Sequence, residues 1–311
     1  MIYLGGLNMR HAYLIMAHSD FYLLQRLIQA IDNPDGDIFL HLDAKNKYLS
    51  EDVKKLEASV KYSHLNIYSQ IPVFWGGKTQ IECELFLMNK ALLGGYTYYH
   101  LLSGQDFLLK QVQDIQNFFS THNGKEFLAV DISPLNFNLM LSRIDQYHWI
   151  FNNRHLTMAF DWVNRIVQKC LGIHRLNDKN RAYFAKGMNW ASMTQSFVKC
   201  ILQEQEKILK LASHALCFDE MYKQMIYKAH QNEFQLYKEI NLSEENLQIP
   251  RYHLEVVATM HKVDWSRGTP YTYRMADYNE LISSPCCFAR KFNSNIDRNI
   301  IDKLYEYIMK K

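Results

Sequence analysis

Along the first 130 residues the spacing of apolar positions switches repeatedly between a strand period and a helix period. "HAYLIMAHS" is a short apolar run stopped by His18, Ser19 and Asp20, the pattern of a buried strand. "DFYLLQRLIQAID" then sets Leu23, Leu24, Leu27, Ile28 and Ile31 at helical spacing, with Asp20 as N-cap and Asn33-Pro34-Asp35-Gly36 as the stop. "DIFLHLDAK" predicts a second strand, a polar helix follows around residues 50–59, and "LNIYSQ" predicts a third strand. "GGKTQIECELFLMNKALLGG" is a helix bracketed by glycines, followed by the strand "TYYHLLSG" and the helix "QVQDIQNFFSTH". Such alternation predicts an α/β fold on a largely parallel sheet, with ligands bound beyond the carboxyl ends of its strands. Those ends carry "AHSD", "HLDAK" and "SGQD". Polar clusters of this kind are commonly turn residues, but three on one side point to a ligand cleft.

Familiar phosphate loops do not account for that cleft. "GGKT" at 76–79 would end a P-loop only with glycine at position 72, which is Pro72, and no G-x-G-x-x-G follows the first strand.

The second half is helical and locally basic. Residues 143–200 carry Arg143, Arg154, Arg165, Lys169, Arg175, Lys179, Arg181, Lys186 and Lys199 against three acids. Within it, "FDWVNRIVQKCLG" places Phe160, Val163, Val167 and Leu171 on one helical face, with Arg165 and Lys169 off it. That pattern fits a helix lying on an anionic membrane or a core-packed helix with a basic outer face. The second, commoner arrangement is preferred. "CFDEMYKQMIYKAH" opens with Asp219-Glu220 at a helix start. Acids there serve as caps to the helix dipole, or as a general base whose geometry is fixed; both readings stay open. Near the C-terminus Arg267, Arg274, Arg290 and Lys291 lie among aromatics, and Arg274 sits at an extended-to-helix turn suited to gripping a phosphate.

Composition narrows the choices. Lysines and arginines number 35 against 32 acids, so no blanket basic surface for nucleic acid follows, and with 48% hydrophobic residues the chain can bury a large core. Six cysteines are scattered without a C-x-x-C pair, which fits ordinary buried thiols in a reducing compartment better than disulfides or zinc. Cys286 and Cys287 would alternate to opposite faces of a strand and so not share one ion. No stretch approaches the ~20 apolar residues of a spanning helix, and the start lacks a signal-peptide core. The expectation is a cytoplasmic protein, with peripheral contact at the inner face of the cell membrane left open.

Several stretches together resemble the core-2/I-branching β-1,6-N-acetylglucosaminyltransferases and their xylosyltransferase relatives. In family order they are "AYLIMAHSD", "FLHLDAK", "VFWGGKTQIECE", "YYHLLSGQDFLLK", "GMNWASMT", "FDEMYKQMI", "VDWSRG" and "FARKF", reaching from about residue 12 to 297. The chain is shorter than the animal relatives, without their N-terminal anchor and cysteine framework, and resembles a bacterial member. The resemblance implies one domain over 1–311 with a type A glycosyltransferase fold, a Rossmann-like mixed, mostly parallel sheet flanked by helices. Residues of about 10–130 would form the nucleotide-sugar-binding half, and about 131–311 the acceptor and catalytic half.

The activity so implied is inverting, metal-independent transfer of a sugar, N-acetylglucosamine or xylose, from a UDP-sugar to a hydroxyl of a glycan or lipid-linked glycan, with a β linkage and no cofactor. Members lack a D-x-D metal motif, and here the matching strand ends His41-Leu42-Asp43. Glu220 matches the family's general base, while Arg274 and Lys291 match the cations that hold the donor diphosphate. Such cations can neutralise the leaving group in place of a metal. Ala17, His18, Asp43, Trp75 and Gly76 are expected around the nucleotide. Ser103, Gln105 and Asp106 are expected near the donor or acceptor sugar, although Asp106 could equally hold a turn. Trp190 and Trp265 could offer ring faces to a sugar or be buried. Arg290 is expected to point away from Lys291 and to pack or pair structurally. A non-catalytic nucleotide-sugar-binding protein on the same scaffold is the alternative; a nucleic-acid-binding protein would rest only on the basic 143–200 region.

Overall fold

Strand β1 (His11–Ala17) is the centre of the main sheet, and its side chains explain the layering. Tyr13, Ile15 and Ala17 join one apolar cluster, while Ala12 and Leu14 join the other, as the two-residue period of a strand buried on both faces requires. The computed structural model describes residues 9–131, 134–150, 153–176, 183–240 and 251–310, without the side chains of 134–139, 154, 251 and 252. Lys179 and Arg181 of the basic stretch therefore lie outside the described residues.

Parallel partners flank β1: β2 (Gly36–Leu42) and then β3 (Leu65–Tyr68) on one side, β4 (Tyr98–Ser103) on the other. β5 (Asp106–Leu108), β6 (Lys125–Glu126) and β7 (Ser192–Thr194) follow in the chain. β7 closes the five-stranded order β3-β2-β1-β4-β7, antiparallel to β4. A short sheet of β5, β10 (Phe288–Arg290) and β9 (His261–Val263) ties the last third of the chain to the end of β4, and β6 pairs with β8 (Gln235–Leu236). The two expected halves thus share sheets.

Helices α1 (Phe21–Ile31) and α2 (Ser50–Glu57) alternate with the first strands as the spacing predicts, and α3 (Lys78–Leu92) and α4 (Val112–Thr121) follow. Asp20 caps α1 by accepting from Leu23 N–H at 3.1 Å. α5 (Pro134–Asp145), α6 (Arg154–Cys170), α7 (Gln195–Gln203), α8 (Gln205–Ala212), α9 (Tyr222–Ala229), α10 (Arg251–Thr259), α11 (Tyr278–Ile282) and α12 (Arg298–Met309) complete the chain. α1 and α12 pack on one face of the main sheet, with Leu27, Ile28, Ile300 and Leu304 fully buried. α3, α7 and α9 cover the other face through Leu87, Phe197 and Ile226. Each such side chain contributes about 2 kcal/mol by leaving water. Cys286 and Cys287 are core residues, 1% and 2% exposed.

One expectation fails. The face of α6 preferred for the core is turned outward: Phe160, Val163, Val167 and Leu171 are 47%, 52%, 49% and 68% exposed. The inward face is polar instead: Thr157, Asp161 and Gln168 are buried, and the last two meet polar groups of the body. Gln168 exchanges hydrogen bonds with the Tyr147 backbone at 2.8 Å, and Asp161 pairs with His148.

Candidate active site

Two close approaches of backbone hold the segment that carries Glu220. Cys217 takes a positive φ of 52° and leads into a 3-10 turn, Phe218–Glu220, ahead of α9. Its N–H donates to Gly76 C=O at 2.7 Å, and a Cβ on Gly76, itself at φ +69°, would come within 3.0 Å of Cys217 Sγ. On the other side Gly187 N–H donates to Glu220 C=O at 2.9 Å, and a Cβ there would overlap the Ala129 carbonyl oxygen at 1.8 Å. Glycine is required at both positions. The Glu220 carboxylate, 29% exposed, accepts from Arg143 Nη1 of α5 at 3.2 Å.

Neither acid caps α9, which starts only at Tyr222 and has no side-chain cap. Asp219 turns inward and accepts from Gln80 Nε2 at 2.8 Å. Burial, and then the charges of Glu220 and Glu84, hold its carboxyl well above the usual carboxylate range, against the opposing pull of Lys223.

Beneath the turn lies a buried ionic network. Lys223 and Glu84 are both 0% exposed. Lys223 Nζ donates to Glu84 Oε2 at 3.0 Å, to Asn189 Oδ1 at 2.6 Å and to the Asp219 carbonyl at 3.1 Å. Tyr222 Oη and Asn189 Nδ2 donate to the two Glu84 oxygens at 2.7 and 2.8 Å. Such a pair holds only because every charge has its partners. It pins α3, the loop before β7 and the Glu220 turn to one another.

From Asn189 the chain passes to Trp190, whose ring lies 4.8 Å under the Arg290 guanidinium. Arg290 is otherwise spent on the "SGQD" turn. It donates to Ser103 Oγ, to Asp106 Oδ1 at 2.9 Å and to Gln105 Oε1 at 3.3 Å. Asp106, 1% exposed, also accepts from Ser103 N–H at 2.6 Å. The three residues expected beside a sugar thus form one internal turn, and Asp106 holds it. Arg290 packs and pairs structurally, as its position beside Lys291 suggested.

Lys291 follows on the strand end, and its carbonyl accepts from Tyr273 N–H at 2.9 Å. That bond brings Arg274, exposed at the start of the Met275–Asp277 turn, beside Lys291 along the backbone. His18 lies near the same place, one residue past the end of β1. Its pKa is lowered by the protein packed around it, with Arg290, Lys291 and Lys45 adding to the effect and Asp43 opposing it.

The remaining expected residues divide. Asp43, 6% exposed, accepts from Lys45 N–H at 3.0 Å and Val73 N–H at 3.1 Å, so it braces the "VFWGGK" loop. Ala17 is buried and offers its carbonyl to Asp43 N–H at 2.9 Å. Trp75 and Trp265 are each 44% exposed, but Trp265 sits on the separate Asp264–Arg267 turn. Among the described residues no group of three or more His, Cys, Asp or Glu side chains is disposed to hold a metal ion. Sequence reasoning missed Arg143, which it counted only as part of a basic stretch, and the Glu84–Lys223–Asn189 network. The available signal was local: Lys223 lies one helical turn beyond Asp219, within "FDEMYKQ".

The mostly parallel five-stranded sheet, covered by helices on both faces, defines an α/β protein. The profile of the Core-2/I-Branching enzymes matches residues 11–283, and the chain belongs to that family of glycosyltransferases. The architecture is accordingly the type A glycosyltransferase fold. The mouse Xylosyltransferase 2 is 20% identical over 316 residues, covering 96% of this chain and 34% of its own length. The human protein is 20% identical over 322 residues, with 97% and 34% covered. Xylosyltransferase sqv-6 of Caenorhabditis briggsae is 21% identical over 308 residues, with 92% and 35% covered. The chain spans about a third of the length of these relatives. Among solved structures, the glycosyltransferase GlyE of Streptococcus pneumoniae TIGR4 aligns with a TM-score of 0.36 and 8% identity, over 97% of this chain and 61% of that one. Core-mannan synthase A of Aspergillus fumigatus, in a Mn/GDP form, gives 0.33 and 10%, over 75% and 72%.

Proposed function

We propose that the chain transfers a sugar from a UDP-sugar to a hydroxyl of a glycan or lipid-linked glycan, with inversion to a β linkage and without a divalent metal, in bacterial surface polysaccharide synthesis at the cytoplasmic side of the membrane. The names of its relatives favour xylose over N-acetylglucosamine as the sugar. The observations that support this reading are a Glu220 carboxylate held by Arg143 at 3.2 Å on a turn tied to Gly76, and the backbone bond that joins Tyr273, next to Arg274, to Lys291.

In this mechanism Glu220 takes the proton of the acceptor hydroxyl as that oxygen attacks the anomeric carbon, and one carboxylate suffices for a single inverting displacement. Arg143 orients the carboxylate. Negative charge gathering on the departing diphosphate is met by Lys291 and Arg274, a task a metal ion performs in other transferases. Ala17, His18 and the Trp75-Gly76 loop border the nucleotide, whereas the Trp190 ring packs against Arg290 and His261. Residues of about 10–130 border the nucleotide, and about 131–311 supply the base, the diphosphate cations and the acceptor side.

The test is UDP release from a panel of UDP-sugars, with a glycan acceptor and excess EDTA. Release of UDP in EDTA from UDP-xylose or UDP-N-acetylglucosamine is expected. Loss of release that Mn²⁺ restores would overturn the metal-free mechanism, and donor binding with no turnover would point to a non-catalytic binding protein.

A further inference from the structure

We infer that α6 is a docking helix that lies in the headgroup layer of an anionic lipid bilayer. Its construction is inverted relative to a packed helix. Thr157, Asp161 and Gln168 face inward and are buried, while Phe160, Trp162, Val163, Ile166, Val167 and Leu171 face outward and are 46% to 68% exposed. The 17 residues extend about 25 Å at 1.5 Å per residue. An apolar strip of that length on one molecule marks a surface that something covers. No helix among the described residues is long and apolar enough to cross a membrane, so the strip lies on a surface instead of spanning it.

The charges around the strip select lipid over protein. Asp145 and Asp161, the acids on the described part of residues 143–176, are 5% and 4% exposed and paired with His174 and His148. The cations remain at the rim. Lys169 and Arg165 fall at the edge of the apolar arc next to Trp162, where long basic stems can reach headgroup phosphates. A cavity of about 470 Å³ opens at that edge between α5 and α6, with Arg165 and Lys169 beside the rings and methyls of Trp162 and Ile166. A second copy packed on this face by a two-fold axis would set the same basic rim against itself, whereas an anionic leaflet complements it.

The helix is also joined to the proposed base. Arg165 Nη2 donates to Ser142 Oγ at 3.1 Å, and the next residue, Arg143, holds Glu220. If the proposed transfer is right, docking would set Glu220 at the height of a lipid-linked acceptor; the docking itself does not depend on that reading.

The experiment is co-sedimentation of the whole chain with phosphatidylcholine vesicles, with and without phosphatidylglycerol, in the absence of any sugar nucleotide. Binding to the anionic vesicles is expected, and high salt should weaken it. Lys169→Glu should lower the partition coefficient at least fivefold, equivalent to ~1 kcal/mol per basic side chain near such a surface. Val163→Asp/Val167→Asp should lower it more than tenfold with an unchanged circular dichroism spectrum, since both positions are solvent-exposed. The inference is overturned if the protein ignores anionic vesicles, if both variants bind as the parent does, or if the exposed face proves to be a dimer interface. That last outcome would be a concentration-dependent dimer in sedimentation velocity, dissolved by Val163→Asp/Val167→Asp, with no vesicle binding.

Discussion

Replacing Lys223 by methionine tests whether the buried network carries the Glu220 turn. Lys223 loses three bonds at once, to Glu84 at 3.0 Å, Asn189 at 2.6 Å and the Asp219 carbonyl at 3.1 Å. Glu84 would keep Tyr222 Oη at 2.7 Å and Asn189 Nδ2 at 2.8 Å, but would have no cation at 0% exposure. Removing one partner of a buried pair costs about 3–5 kcal/mol, most of it for the stranded charge. Glu84→Gln should cost a similar amount by stranding the ammonium. The double variant Glu84→Gln/Lys223→Met leaves neither charge buried, so it should cost little more than either single change, with a coupling of about 3 kcal/mol. Urea unfolding of the four proteins reads this directly, provided the m-value stays constant. Additive losses in the double variant, or a loss below 1 kcal/mol for Lys223→Met alone, would refute the reasoning.

Arg290→Met should destabilise the fold by about 3 kcal/mol in the same assay, because Asp106 at 1% exposure loses its cation; no loss would contradict the structural role given to this pair. Glu126, 1% exposed, has its pKa pushed up from 4.5 to about 7, chiefly by burial, against hydrogen bonds from Thr194. A raised folded-state pKa gives stability that is present below the unfolded value and lost as pH rises through the folded one. Stability of the parent relative to Glu126→Gln should therefore increase by about 2 kcal/mol between pH 7 and pH 5, and a difference in urea midpoint independent of pH would contradict this.

Local pattern revealed what local physics determines. The first four parallel-sheet strands and the helices between them follow from apolar period and stop signals, and the Asp20 cap follows from its place before the run. The short strand β7 within "GMNWASMT" has three residues, too few for a period to show, and exists because β4 pairs with it. α6 shows a second limit. Periodicity shows that Phe160, Val163, Val167 and Leu171 share a face but not whether that face turns inward. That depends on Tyr147, His148 and Ser142, which bind its polar side.

At the site, Glu220, Arg274 and Lys291 were reached through motif resemblance, and the structure adds the Tyr273–Lys291 backbone bond that brings the chain at Arg274 next to the chain at Lys291. The Arg143–Glu220 and Glu84–Lys223 pairs join residues far apart in the chain, and no local pattern announces them.

The most direct test of the central claim is the Glu220→Gln variant, which keeps the shape and the Arg143 contact but cannot accept a proton. Its transfer rate from the best UDP-sugar should fall about a thousandfold, while UDP affinity by calorimetry stays within a few-fold of the parent. Transfer at the parental rate by Glu220→Gln would contradict the account.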